Sequence, residues 1–162
     1  MALLALPASA FDSGAWLAER AALDLEAARL AAVYTNCAAS LVTPAENLVV
    51  PVENHPDGSV KVTVTARRAQ FFVDAGYVWG EGVTLREYGA GGTNETARVE
   101  AGHCVVDRAS KSVWAEGRVR VTYGGTTLEG EGIYFSFARE FVKIMSKVAI
   151  ETSDVKFKGV KL

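Results

Sequence analysis

The spacing of apolar positions divides this chain into three zones. In residues 15–34, Trp16, Leu23, Ala27, Leu30 and Tyr34 recur at helical spacing, with Arg20 intruding. The segment is rich in Ala, Leu, Glu and Arg, which form helices readily. Asp12 and Ser13 can cap its start by accepting from otherwise unpaired backbone N–H groups. The pattern predicts one amphipathic N-terminal α-helix whose apolar stripe docks on the rest of the protein. Residues 36–58 read as a connector with one strand, 48–53, placed at a sheet edge because Pro51 cannot donate to a ladder. His55-Pro-Asp-Gly58 is a turn signal. From Ser59 onward the pattern is that of strand after strand: 61–65, 69–73, 77–85, 97–106, 113–123, 127–137, 141–150 and 155–162. Turn signals fall about every ten residues, as in an antiparallel meander that closes into a sandwich, barrel or jelly roll.

The strand zone repeats itself. Val78-Trp-Gly-Glu-Gly-Val-Thr-Leu85 matches Val113-Trp-Ala-Glu-Gly-Arg-Val-Arg-Val121, and the segments before them, 66–74 and 99–107, also match. A weaker third copy runs through Leu128-Glu-Gly-Glu-Gly-Ile-Tyr-Phe-Ser136 into 142–150. Each unit is a hairpin. Its mid-strand glycine, Gly82 or Gly117, marks a bulge or bend. The distance from that glycine to the next valine differs by one residue between the first two copies, a shift that a bulge in one of them absorbs. A single hairpin cannot bury its apolar face, so the units must stack side by side, leaving open edges at the ends. The inward-facing apolar strand residues are Phe71, Val73, Trp79, Val83, Leu85, Val99, Val105, Val119, Val121, Tyr134, Val148 and Ile150. They suit either a filled core or the walls of a groove, and Trp79 and Trp114 equally suit cross-strand surface sites.

Length and composition narrow the function classes. With 162 residues, 49% hydrophobic and 22% charged, the chain is one globular domain's worth of sequence. The division is 1–10, 11–45 for the helix and connector, and 46–162 for the β domain. A net charge of −2 gives no nucleic-acid footprint. The late lysines, Lys143, Lys147, Lys156, Lys158 and Lys161, read as solvated strand faces or edge protection before an anion site. No apolar run reaches the roughly 20 residues that span a bilayer. The start ends in Ala8-Ser-Ala10, like the tail of a secretory signal, but lacks a basic n-region. Cys37 and Cys104 are too few for a disulfide framework or a tetrahedral zinc site; they read as two buried thiols or one bridge from helix to sheet.

No catalytic constellation emerges. His55 adjoins a turn, and His103 and Cys104 are consecutive in a strand and so point to opposite faces. Gly89–Gly92 lacks the lysine and helix of a P-loop. Glu81 and Glu116 recur within the repeat, which favours a shared structural role over paired-carboxylate catalysis. The sequence therefore indicates a non-enzyme with no cofactor and no metal.

The ordered repetition, carried by Val105-Val-Asp107, residues 113–121 and Thr126-Thr-Leu-Glu-Gly130, resembles the OstA-like domain of the LptC/LptA lipopolysaccharide-transport family over about residues 49–157. An LptC-like member is favoured, with a soluble LptA-like relay as the other reading the resemblance leaves open. The resemblance implies an all-β, antiparallel jelly roll, a twisted sandwich of stacked hairpins. It implies a periplasmic protein, attached to the inner membrane through an N-terminal segment in LptC-like members. It implies a relay role in which the apolar residues named above line a groove for the acyl chains of lipopolysaccharide or a related lipid. It also implies pairing with LptA-like and LptF/LptG-like jelly rolls through edge strands, here represented by Val49, Val50, Val155, Phe157 and Val160. The helix departs from the pattern: Glu19, Arg20, Asp24, Glu26 and Arg29 bar it from spanning a membrane. A scaffolding β module that self-assembles through its edges without lipid is the alternative.

Overall fold

The computed structural model describes residues 13–152 apart from 137 and 140. One helix, α1 (Ser13–Ala39), precedes seven strands: β1 (Ala45–Asn54), β2 (Val60–Phe72), β3 (Tyr77–Tyr88), β4 (Glu95–Asp107), β5 (Ser112–Tyr123), β6 (Thr126–Ser136) and β7 (Phe141–Thr152). The strands form one antiparallel sheet in chain order, β1 to β7. This is the expected all-β stack of hairpins with one N-terminal helix. The segments 61–65 and 69–73 are one strand, because the intervening Arg67 and Arg68 both pair with Glu81 across β3 and do not break the ladder. Val73 consequently falls in the turn after β2. β1 is an edge strand, as Pro51 requires. The expected strand at 155–162 and the start at 1–10 lie outside the described residues.

A line of left-handed backbone crosses the sheet. Asn47 (φ 52°), Gly82 (61°), Gly117 (73°), Gly132 (71°) and Lys147 (52°) stand at corresponding places on β1, β3, β5, β6 and β7. Glycine adopts such angles at least cost, so a glycine in each interior member of this line is what the bend favours. Pairing is continuous through Gly82, but β5 has one extra residue at Gly117 and β7 one at Lys147. The bulge expected from the unequal repeat thus lies in its second copy. Along this crease the side-chain alternation slips phase. Gly80 and Val83, three residues apart, share a face: a Cβ on Gly80 would stand 2.7 Å from Val83 Cγ2 and 3.5 Å from Cys104 Sγ. The sheet is therefore folded toward that face, and it has a helix-side half and a far half on either side of the crease.

The helix covers the outer face of the helix-side half. Leu23, Ala27, Leu30 and Cys37 pack on Trp79, Val105, Trp114 and Tyr134, with Tyr34, Phe72, Tyr77 and Phe141 at the margin. Trp16 departs from the expected stripe. It is 45% exposed under the Arg20 guanidinium, since nothing before Leu23 on the helix is buried. Polar pins fix the docking. Arg29 donates to Asp107 at 2.6 Å and to the Tyr77 hydroxyl at 3.2 Å, Asp24 pairs with Lys143, and the Val42 N–H donates to Gln70 at 2.9 Å. Burial pushes the Asp107 carboxyl up, but the Arg29 guanidinium and the amides of Ser110 and Ala109 outweigh it and hold the group below the ordinary aspartate range.

Two predictions follow from this packing. A carboxylate held low in the folded state contributes stability above the unfolded aspartate value, about 3.9, and loses it as pH falls through the folded value. Asp107→Asn is thus expected to be less stable than wild type at neutral pH, by about 1–3 kcal/mol, the cost of a broken charged hydrogen bond at a buried group. The gap should close as urea melts are repeated below about pH 4, the unfolded value above. A gap that is constant with pH would count against the pin. At the crease, a Cβ on Gly130 would meet Ile144 Cγ2 and the Ser146 carbonyl, so Gly130→Ala should cost about 1–3 kcal/mol in the same melts, as overpacking does.

Candidate functional site

The inner face of the fold is apolar over most of the strand length, ending at the far side in a mixed row of Val62, Glu87, Ala97, Tyr123, Thr126 and Thr152. Register fixes its rows. On the helix-side half, Ala69, Gly80, Cys104, Ala115, Ile133 and Ile144 face each other across β2–β7, with Phe71, Val78, Val106, Val113, Phe135 and Val142 in the next such row. On the far half, Ala66, Val83, Ala101, Val119 and Gly130 form one row, and Val64, Leu85, Val99, Val121, Leu128 and Ile150 the next. Residues from both halves belong to a single packed cluster, centred on Cys104, Ala115, Val119 and Ile133. No described element lies on top of them. Val119 is nevertheless 0% exposed, because the bend turns its neighbours over it, whereas Phe71, Val142 and Ile150, farther from the crease, are 48%, 46% and 67% exposed. The result is a trough with a closed floor and open apolar walls.

The opposite face differs between the halves. Behind the helix-side half lies the row Gln70, Trp79, Val105, Trp114, Tyr134 and Lys143, covered by α1. Behind the far half lies Thr65, Thr84, Glu100, Arg120 and Glu129. Charges there pair laterally: Arg118 and Arg120 hold Glu129 at 2.8 and 2.5 Å, and Arg98 and Arg86 hold Glu95 at 2.6 and 3.5 Å. These arginines keep both Glu129 and Glu95 below the usual carboxylate range, working against desolvation.

The residues expected to face inward separate accordingly. Phe71, Val83, Leu85, Val99, Val119, Val121 and Ile150 come together on the trough face. Trp79, Val105 and Tyr134 lie on the other face, under the helix, because the crease reverses the alternation between them and the far half of their strands. Val73 is in the turn, and Val148 adjoins the β7 bulge. Ala101, Cys104, Leu128, Ile133, Phe135 and Ile144 also line the trough. A phase slip of one residue at each mid-strand glycine is the signal that places them there. Of the expected edge residues, Val49 (66% exposed) and Val50 lie on β1; Val155, Phe157 and Val160 lie outside the described residues.

The titratable groups near the crease have structural partners. Glu81 holds Arg67 and Arg68, and Glu116 accepts from Trp114 Nε1 at 2.8 Å. His103 faces Trp79 and Tyr34, ring centroids 6.2 and 6.5 Å away, on the side opposite Cys104. Both cysteines are free thiols, Cys37 on the helix and Cys104 in the trough floor, separated by the thickness of the sheet. Burial pushes the Cys104 thiol up to about 12, so it stays neutral and serves as an apolar wall. Among the described residues no three His, Cys, Asp or Glu side chains gather as metal ligands, and no helix is long and apolar enough to cross a membrane.

No family model matches the chain, and no curated protein does. Among solved structures it is similar to that of LptH, the LptA-homologous periplasmic component of the conserved lipopolysaccharide transport device of Pseudomonas aeruginosa. The match has 12% sequence identity and a TM-score of 0.46, covering 67% of this chain and 92% of that one.

Proposed function

We propose that this protein is a relay component of lipopolysaccharide export, holding the acyl chains of lipopolysaccharide or a related lipid in its trough and meeting partner jelly rolls through its edge strands. One observation carries the reading: a continuous apolar face, folded into a trough and covered by no described element, while the same sheet's other face is sealed by a helix or by paired charges. An apolar surface this extended, uncovered among the described residues, is the mark of an interaction site. The repeated hairpin motif of the OstA-like pattern points to the same ligand class. Acyl chains suit such a surface because their recognition needs area and shape and no specific polar partner. The role calls for no catalytic group, and it suits the periplasm, where the resemblance places such domains.

The edges fit the partner half of the reading. β1 pairs only with β2, and β7 only with β6, among the described strands, so each offers a row of backbone donors and acceptors to an added strand. Partners of the LptA and LptF/LptG kind would extend the trough from one molecule into the next.

A photo-reactive residue tests the lipid claim. Placed at Val121 or Phe71 in the intact protein supplied with lipopolysaccharide, it should form an adduct; at Thr122, one residue along on the charged face, it should form at least about tenfold less. Equal yields at Val121 and Thr122, or none at Val121 with the protein folded, would defeat the reading. A photo-reactive residue at Val49 should capture a partner β-protein where one at Thr65, on the interior strand β2, does not.

A further inference from the structure

The strand cations are almost fully matched with acids. Six arginines share the three carboxylates of Glu81, Glu95 and Glu129, and Lys61, Lys143 and Lys147 each hold one acid. Arg108, Lys111 and Arg139 differ: all three are exposed, and none forms a salt bridge with a described residue. They occupy one place in the fold. Asp107 pairs with Ser112, Ser112 with Ser136 and Ser136 with Phe141, so the turn holding Arg108 and Lys111 stands beside the turn holding Arg139. The Arg108 N–H donates to the Gly76 carbonyl at 3.1 Å, which joins the turn of the preceding hairpin to the same row. The acids at this end are Asp74, on that preceding turn, Asp107, which is buried and held by Arg29 and the amides of its own turn, and Glu26, which feels Arg139 but is already clamped by Arg29. Glu140 follows Arg139 in the chain and lies outside the described residues. The turns at the other end of the strands, 55–58, 89–94 and 124–125, contain no lysine or arginine.

These turns form one lip of the trough. Six residue steps separate Gly76 from Gly82 and Lys111 from Gly117. At about 3.3 Å per residue the wall rises roughly 20 Å from crease to lip. One leaflet of a bilayer contributes about 15 Å of hydrocarbon, half of a core of about 30 Å. Acyl chains rooted at the crease would therefore bring a headgroup to the lip. Resting on the reading of the inner face as an acyl trough, we propose that Arg108, Lys111 and Arg139 seat a phosphate-bearing headgroup, and so select anionic lipids and fix which way round they lie. Guanidinium and ammonium groups at a water-exposed lip, in no salt bridge with a described residue, can bind phosphate by charge-assisted hydrogen bonds.

The test compares lysophosphatidate with a monoacylglycerol of the same acyl chain, and with inorganic phosphate, by calorimetry on the full chain at low salt. Wild type should bind lysophosphatidate at least about tenfold more tightly than the monoacylglycerol, a difference worth about 1.4 kcal/mol. The combined variant Arg108→Gln, Lys111→Asn, Arg139→Gln should lose that preference while binding the monoacylglycerol as before. Asparagine is chosen at Lys111 because its φ of 52° suits that residue. Equal binding of both lipids by wild type, or a preference that survives in the variant, overturns the headgroup seat and leaves the trough standing. Inorganic phosphate binding as tightly as lysophosphatidate reassigns the site to a free anion and overturns the lipid claim for it. Binding of neither lipid overturns the trough and the seat together.

Discussion

The crease governs the rest of the structure. An antiparallel strand with strict alternation has one face in and one face out along its whole length, and a sheet built of such strands would need a cover over its entire apolar side. Left-handed residues at Gly82, Gly117, Gly132 and Lys147 break that rule midway. On the far half, apolar residues face the trough and charged ones face away. On the helix-side half both faces are apolar. That half alone therefore needs a helix, and α1 covers the outer of its two faces and leaves the inner one free. The bend in turn lets the inner rows shelter one another, which is how Val119 reaches 0% exposure with no described element placed over it.

Helix docking depends on few polar contacts. Arg29 joins Asp107 and Tyr77, which close the helix-side ends of β4 and β3, so a single guanidinium ties α1 to two hairpins. Asp107 is the residue that ends the first strand of the second repeat and also organises the turn after it, accepting from the Ala109 amide at 2.9 Å. The repeat thus supplies the anchor for the one element that does not repeat.

The stack of hairpins was legible in the sequence because turn chemistry and period-two alternation are local properties. The bend was legible too, at Gly82 and Gly117, since a mid-strand glycine has few other uses. The side on which each residue falls was harder to read. Trp79 and Val83 have the same parity, and so do Val105 and Val99, yet each pair is divided between the two faces. Alternation carried straight through the crease merges two surfaces into one. The left-handed angle at Lys147 had no sequence signal at all, because lysine there reflects a bulge set by the neighbouring strand. The cations at the lip were also invisible, as their significance rests on the other arginines being paired, which depends on how the strands meet in the fold.

The hairpin is also a unit of length. Neighbouring strands stand about 4.8 Å apart, so the six intervals from β1 to β7 make a sheet roughly 29 Å across, and each further hairpin would add about 10 Å without altering its cross-section. Span in this architecture is accordingly a matter of counting copies, and a gene can lengthen or shorten the sheet by whole-unit duplication or loss while every surviving unit keeps its own bend, its own walls and its own lip.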